Sequence, residues 1–330
     1  MQIDKVLIIQ TASIGDVILA TPIMEKLHAH FPQASIDFFL KKGNESLFAQ
    51  HPFLRKTVVW DKSSNKHKHL YALIKEVRTE NYDLVICLQR FFSGGLAAAL
   101  SKGKKIIGFN KNPLSCFFDQ RMVHTIGKSS STHEVMRNLS LINDLTDNAF
   151  EKPKLYPSPT DYKRVLPYKS KPYICIAPLS LWFTKQFPKE KWIEFAQKVD
   201  SSHTIYYLGS KSDACICDEI ILHSKHPNSV NLSGKISLLE SAALMQDALM
   251  NFVNDSAPMH LASAVNARTT AIFCSTVPEF GFGPLSDNAA VVQTEMKLDC
   301  RPCGLHGYKH CPQKHFNCGK SIDVNRLFEK

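Results

Sequence analysis

What most constrains this chain is a pattern that runs, stops and starts again: short apolar runs of strand length alternating with segments of helical period. Lys5–Gln10, Ser35–Leu40, Thr57–Trp60, Asp83–Gln89 and Lys104–Phe109 read as strands, with Gly15–Phe31, His67–Glu80 and Gly94–Leu100 as helices between them. From Phe150 to Pro172 the alternation fades into a stretch holding Pro153, Pro157, Pro159 and Pro167, which reads as a linker. It then resumes, with strands at Tyr173–Ala177, Thr204–Gly209, Val230–Leu232, Met250–Asn254 and Thr269–Cys274. Helices are expected at Lys189–Val199, Asp213–Ser224, Ser237–Ala248 and Pro258–Asn266. Strands alternating with helices predict parallel sheets covered on both faces. The expectation is an α/β chain of two Rossmann-like domains facing a cleft, residues 1–160 and 161–330. Ligands of such sheets lie beyond the carboxyl ends of the strands.

Length and charge agree with this division. At ~150 residues per domain, 330 residues make two. A composition 44% hydrophobic and 21% charged provides real cores and excludes a disordered chain. The formal charge is +10, and it is uneven: residues 1–165 carry 23 Lys/Arg against 15 Asp/Glu, residues 166–330 carry 17 against 15. Such a surplus suits nucleic acid, an anionic membrane surface or a phosphorylated substrate. No nucleic-acid recognition motif accompanies it, so a basic nucleic-acid-binding protein is the weaker reading. No run approaches the ~18 apolar residues of a membrane span, and Met1-Gln2-Ile3-Asp4-Lys5 does not open a secretory signal. The expected location is therefore cytoplasmic, with the ten cysteines reduced.

Four segments following strands carry candidate chemistry. Ser13-Ile14-Gly15-Asp16 places a carboxylate at a helix start; it is either a cap or a general base for a substrate hydroxyl. Its single glycine is no dinucleotide fingerprint, which argues against an oxidoreductase. Trp182-Phe183-Thr184-Lys185 puts an ammonium in the loop before a helix, as a phosphate contact or an ordinary surface lysine. Asn254-Asp255-Ser256-Ala257-Pro258-Met259-His260 ends a strand and opens a helix at Pro258, where free amides favour an anion. Cys274-Ser275-Thr276 begins a Gly/Pro-rich loop at the same sheet edge.

Together these segments resemble family 9 glycosyltransferases, the ADP-heptose:lipopolysaccharide heptosyltransferase group. The resemblance rests on S-I-G-D-V-I-L-A-T-P, W-F-T-K-Q-F-P-K-E-K-W and N-D-S-A-P-M-H-L-A-S-A, and spans nearly the whole chain. It implies a GT-B architecture and inverting transfer of a heptose or related sugar from an ADP-sugar to a lipopolysaccharide core or similar anionic glycan. In that reading Asp16 is the catalytic base and Lys185 stabilises the departing diphosphate. Thr184, Asp255, Ser256, Ala257 and His260 bind the donor, Asp213 falls where the nucleotide ribose is held, and Ile236 and Met259 border the adenine or sugar. Ser13, Gly15, Arg90 and Arg121 are the implied acceptor contacts, with peripheral association at the inner membrane and no nucleic acid. Ala257 stands where many members have glycine, and Cys274-Ser275 where many have Gly-Pro. These departures bear on which nucleotide sugar is used, and a different sugar or a protein acceptor is the alternative within the same fold.

Near the C-terminus Cys300-x2-Cys303-x7-Cys311-x6-Cys318 is interleaved with His306, His310 and His315. Four thiols so close suit a structural zinc or iron ion, and equally a compact loop whose thiols pack. No cofactor is expected in the transfer itself, and nothing in the sequence links this segment to it.

Overall fold

A computed structural model describes residues 2–127 and 132–329. It divides into two compact units, residues 2–126 with 132–156, and residue 127 with 157–329.

In the first unit, β1 (Lys5–Gln10), β2 (Ser35–Lys41), β3 (Leu54–Trp60), β4 (Leu84–Cys87), β5 (Lys105–Phe109) and β6 (Gln120–Met122) pair in parallel in the order β3-β2-β1-β4-β5-β6. Val6–Ile9 and Leu84–Cys87 are wholly buried, as strands covered on both faces by helices must be. The helices are α1 (Ile14–Ile18), α2 (Thr21–His30), α3 (Lys66–Thr79), α4 (Phe92–Ala99) and α5 (Glu134–Leu139). The second unit repeats the plan with α6 (Pro159–Val165), α7 (Lys189–Lys198), α8 (Ala214–Ser224), α9 (Leu238–Gln246) and α10 (Ala257–Ala264). Its strands are β7 (Tyr173–Ala177), β8 (Thr204–Tyr207), β9 (Ser229–Asn231), β10 (Asn251–Asn254), β11 (Thr269–Phe273) and β12 (Ala289–Gln293). Their order, β9-β8-β7-β10-β11-β12, matches the first sheet position for position. The chain therefore reverses direction between β1 and β4 and again between β7 and β10, the switch points where such sheets bind ligands.

Three local departures from expectation have clear causes. The expected Gly15–Phe31 helix is two helices, because Pro22 has no amide to continue the ladder and its ring opposes the carbonyl four residues back. Thr21 Oγ1 satisfies that carbonyl, Ile18 O, at 2.8 Å. The expected linker contains α6, started by Pro159 and by a reciprocal cap in which Ser158 and Asp161 bind each other's backbone amides. It docks on the second unit through Tyr162–Gln246 at 2.6 Å and Arg164–Glu240 at 3.1 Å. Edge strands β6 and β12 are half-exposed and lack the apolar run that marks a central strand. Ser131-Thr132-His133-Glu134 has the spacing of a capping box; it lies partly outside the described residues, and there His133 caps α5, accepting from the Val135 amide. Among the described residues no helix is long and apolar enough to cross a membrane.

Candidate functional site

In the first unit Ser13, Gly15, Asp16 and Arg90 follow the ends of β1 and β4, and Arg121 does not join them. Gln10 and Gln89, both buried, bond each other through their side-chain amides beneath the Thr11–Ala12 turn. Asn44 holds Ala12 O at 3.1 Å and Lys62 holds Thr11 O at 2.8 Å. Lys62 also lies over the Trp60 ring, and its burial lowers its pKa from the usual lysine range. Lys62 belongs to the basic surplus of the first half, and nothing local in the sequence signals that it grips a turn 51 residues away. The turn is thus fixed before α1 begins. Ser13 caps that helix: its amide and hydroxyl donate to Asp16 Oδ2 at 3.1 and 2.5 Å, and the Asp16 amide returns to Ser13 Oγ at 3.5 Å. The half-buried Asp16 is therefore a cap, and its Oδ1 has no hydrogen-bond partner among the described residues. Gly15 is buried, Arg90 is half-buried just beyond β4, and Arg121 is exposed in edge strand β6. Gly94 and Gly95 let α4 start against the β4 turn, since a Cβ at either would strike Gln89 or Asn112 at 2.4 or 2.0 Å.

In the second unit the corresponding edges of β7, β10 and β11 hold a tighter cluster. Lys185 Nζ lies 2.7 Å from Asp255 Oδ2, with both side chains largely buried. Thr276 Oγ1 donates to the same oxygen at 2.6 Å. Asn254 clamps the two loops together, accepting from the Phe187 amide at 2.8 Å and donating to Pro178 O at 2.8 Å. Ser256 opens α10 without a side-chain cap bond; Pro258 has no amide hydrogen and the Met259 amide bonds Ser256 O at 3.0 Å, which leaves the Ala257 amide of the first turn for another acceptor. Ala257 is half-buried at the head of this helix, and His260 is buried within it.

Four of the expected donor residues are placed differently from a simple open contact. Thr184 is 1% exposed, its hydroxyl accepting from the Tyr308 amide at 2.8 Å and from Ser275 at 3.0 Å. Met259 is wholly buried in the core behind α10. Asp213 caps the turn after β8, its Oδ2 accepting from the Ser210 amide and hydroxyl at 2.7 and 2.8 Å. Ile236 is half-buried just before the Ser237 cap of α9.

The cysteine segment packs on the second unit. Cys318 is buried in its core, with Cys311 against the same cluster. Cys300 Sγ stands 3.8 Å from His315 Nε2, while the Cys303 thiol turns to Cys300 O at 3.0 Å. Burial and the neighbouring thiols push Cys318 up to about 12 and raise Cys303 as well. The donor set suits zinc or iron by type, but among the described residues no three His, Cys, Asp or Glu side chains are gathered to hold a metal.

Known proteins share this plan. Residues 70–308 match the family model described as glycosyltransferase family 9 (heptosyltransferase). The chain is 24% identical over 323 residues to lipooligosaccharide heptosyltransferase 2 of Campylobacter jejuni, covering 96% of this chain and 94% of that protein. It is 27% identical over 291 residues to lipopolysaccharide heptosyltransferase 3 of Escherichia coli, covering 83% and 84%. The solved structure of E. coli ADP-heptose LPS heptosyltransferase II superposes with a TM-score of 0.76 at 21% identity, over 99% of this chain and 100% of that one.

Proposed function

The chain belongs to glycosyltransferase family 9, and from that premise we propose that this transferase moves a heptose, or a related sugar, from an ADP-sugar to a lipopolysaccharide core or similar anionic glycan with inversion. One observation carries the donor half of this reading: the Lys185 ammonium sits 2.7 Å from Asp255, beside a helix N-terminus that no side chain caps. That arrangement suits the charge that grows on a departing diphosphate. As the acceptor oxygen attacks the anomeric carbon, its proton passes to Asp16 Oδ1, the oxygen the cap does not use. The bond from the anomeric carbon to the diphosphate breaks, and its electron pair leaves with ADP. Lys185 and the Ala257 amide at the head of α10 stabilise that charge in place.

Asp213 offers the nucleotide ribose the oxygen left over from its own cap. Ser256, Ala257 and His260 form the donor turn, Ile236 borders the nucleotide, and Thr184 and Met259 shape the turn from beneath. Ser13, Gly15, Arg90 and Arg121 hold the acceptor. Contact with an anionic membrane surface follows from an acceptor that is a glycolipid.

A sugar-nucleotide panel tests the donor class. An ADP-sugar raises the melting temperature, sugars on other nucleotides do not, and Asp16→Ala abolishes turnover. Full activity without Asp16 removes the base assignment, and indifference to every ADP-sugar removes the donor. The structural zinc or iron expected at Cys300, Cys303, Cys311 and Cys318 takes no part in these steps. Metal analysis of protein purified without a His-tag decides it: about one equivalent reinstates the ion, trace amounts remove it.

A further inference from the structure

We propose that the segment Arg301–Tyr308 is a strap that sets the position of Lys185 at the donor diphosphate, with Arg301 and Gly307 as positioning residues. This rests on the donor reading above. Two arms of the strap reach the same lysine, one at its ammonium and one at its stem. The first begins at Arg301, whose guanidinium donates to the carbonyls of Cys274, Thr276 and Phe273 at 2.7, 2.8 and 3.2 Å and to Gln293 Oε1 at 2.8 Å. The Cys303 amide takes the carbonyl in between, Ser275 O, at 2.9 Å. The loop after β11 is thereby held by its backbone, carbonyl by carbonyl. Its Thr276 hydroxyl then fixes Asp255 Oδ2, the oxygen on which the Lys185 ammonium rests.

The second arm is shorter. Tyr308 and Thr184 are joined by two bonds: the Thr184 amide donates to Tyr308 O at 3.1 Å and the Tyr308 amide donates to the Thr184 hydroxyl, Oγ1, at 2.8 Å. Ser275 closes the joint, its amide on Thr184 O at 3.2 Å and its hydroxyl on Thr184 Oγ1 at 3.0 Å. Gly307 lies flush against this joint in the left-handed region, φ +75°. A Cβ there would come within 2.9 Å of Thr184 Oγ1 and 3.0 Å of Lys185 Cγ. A residue with a side chain would therefore meet strain in its own backbone and push aside the lysine stem.

The chemistry makes such a device worthwhile. A long, flexible lysine stabilises a developing charge only when its ammonium is already in place, and misplacement by ~1 Å can cost about 100-fold in rate. Asp255 alone would hold one end of that side chain. The strap fixes both the partner oxygen and the backbone from which the stem departs. The sequence offers no hint of this, because 116 positions separate Lys185 from Arg301.

Calorimetric titration with ADP, alongside steady-state kinetics, tests the strap in the full chain. Lys185→Ala serves as the reference variant. Gly307→Ala and Arg301→Gln are expected to weaken ADP about tenfold and lower kcat by up to about 100-fold, with acceptor KM unchanged. Arg301→Lys, which keeps the charge but not the fork, recovers only part. If Lys185→Ala weakens ADP while folded Gly307→Ala and Arg301→Gln bind it as the wild type does, the strap is wrong and the donor reading stands. If Lys185→Ala binds ADP normally, both fall. Hydrogen exchange on the unmodified protein gives a readout that needs no variant to fold. Saturating ADP is expected to slow the amides of Thr184, Cys303 and Tyr308 together; unchanged exchange there overturns the strap.

Discussion

Ser13 spends both its amide and its hydroxyl on one oxygen of Asp16, so the carboxylate serves local structure through Oδ2 and remains open to chemistry through Oδ1. The two readings of this residue, cap or base, are thus compatible in a single side chain. They also separate experimentally. Asp16→Asn keeps an oxygen that accepts from Ser13, so its stability cost should stay below the ~1 kcal/mol typical of a lost cap. It cannot take a proton from a hydroxyl, and kcat should fall by about 10²- to 10⁴-fold. Urea midpoints and initial rates on the same preparation check both halves. A variant that loses stability and rate in proportion would make Asp16 a structural residue only.

Elements report their stability through such caps and through the ion pairs that join them. Helix α6 opens on the Ser158–Asp161 box, and Ser158→Ala should lower unfolding stability by about 1 kcal/mol in urea titration. Glu80, just past α3, is bonded by Lys56 at 2.7 Å and Arg55 at 2.7 Å from strand β3. Those bonds depress its pKa to about 2, against ~4.3 in an unfolded chain. A carboxylate depressed on folding adds stability above the unfolded value and loses it as pH falls toward the folded one. The urea midpoint of the wild type should therefore drop more steeply than that of Glu80→Gln between about pH 5 and pH 2, the two converging at the acid end. Parallel curves would show that the helix–strand pair is neutral. These elements also show what a sequence reveals. Central strands such as β1 and β7 coincide residue for residue with the apolar runs that announce them, since full burial leaves no room for another pattern. The motif segments that follow β1, β7 and β10 were legible in position, because each comes straight after an apolar run, while the roles given to their residues came from the family resemblance and not from spacing. Edge strand β6, the break at Pro22 and helix α6 inside a proline-rich stretch were not, because each depends on neighbours rather than on periodicity. The joint between Lys185 and residues 301–308 was least visible of all: the Arg301 guanidinium, the Thr184 hydroxyl and backbone amides meet across more than a hundred positions, and no local pattern marks such a pairing.

At the scale of the whole molecule, one sheet plan serves twice with different surroundings. The first half of the sequence carries +8 of the +10 charge, while Lys185 of the second unit pairs with Asp255 in a largely buried setting. Salt should discriminate between them. Raising ionic strength from 0.1 to 1 M shortens the screening length from about 10 to about 3 Å, which weakens exposed charges far more than buried pairs. With the ADP-sugar saturating, KM for an anionic glycan acceptor should rise several-fold across that range. The Kd for ADP, measured by calorimetry in the same buffers, should change much less, because side chains 15% and 7% exposed are poorly reached by ions. Equal salt dependence of the two constants would mean that the basic surplus is a general solubility feature. A steep dependence confined to the acceptor would instead tie the charge asymmetry to the division of labour between the two units.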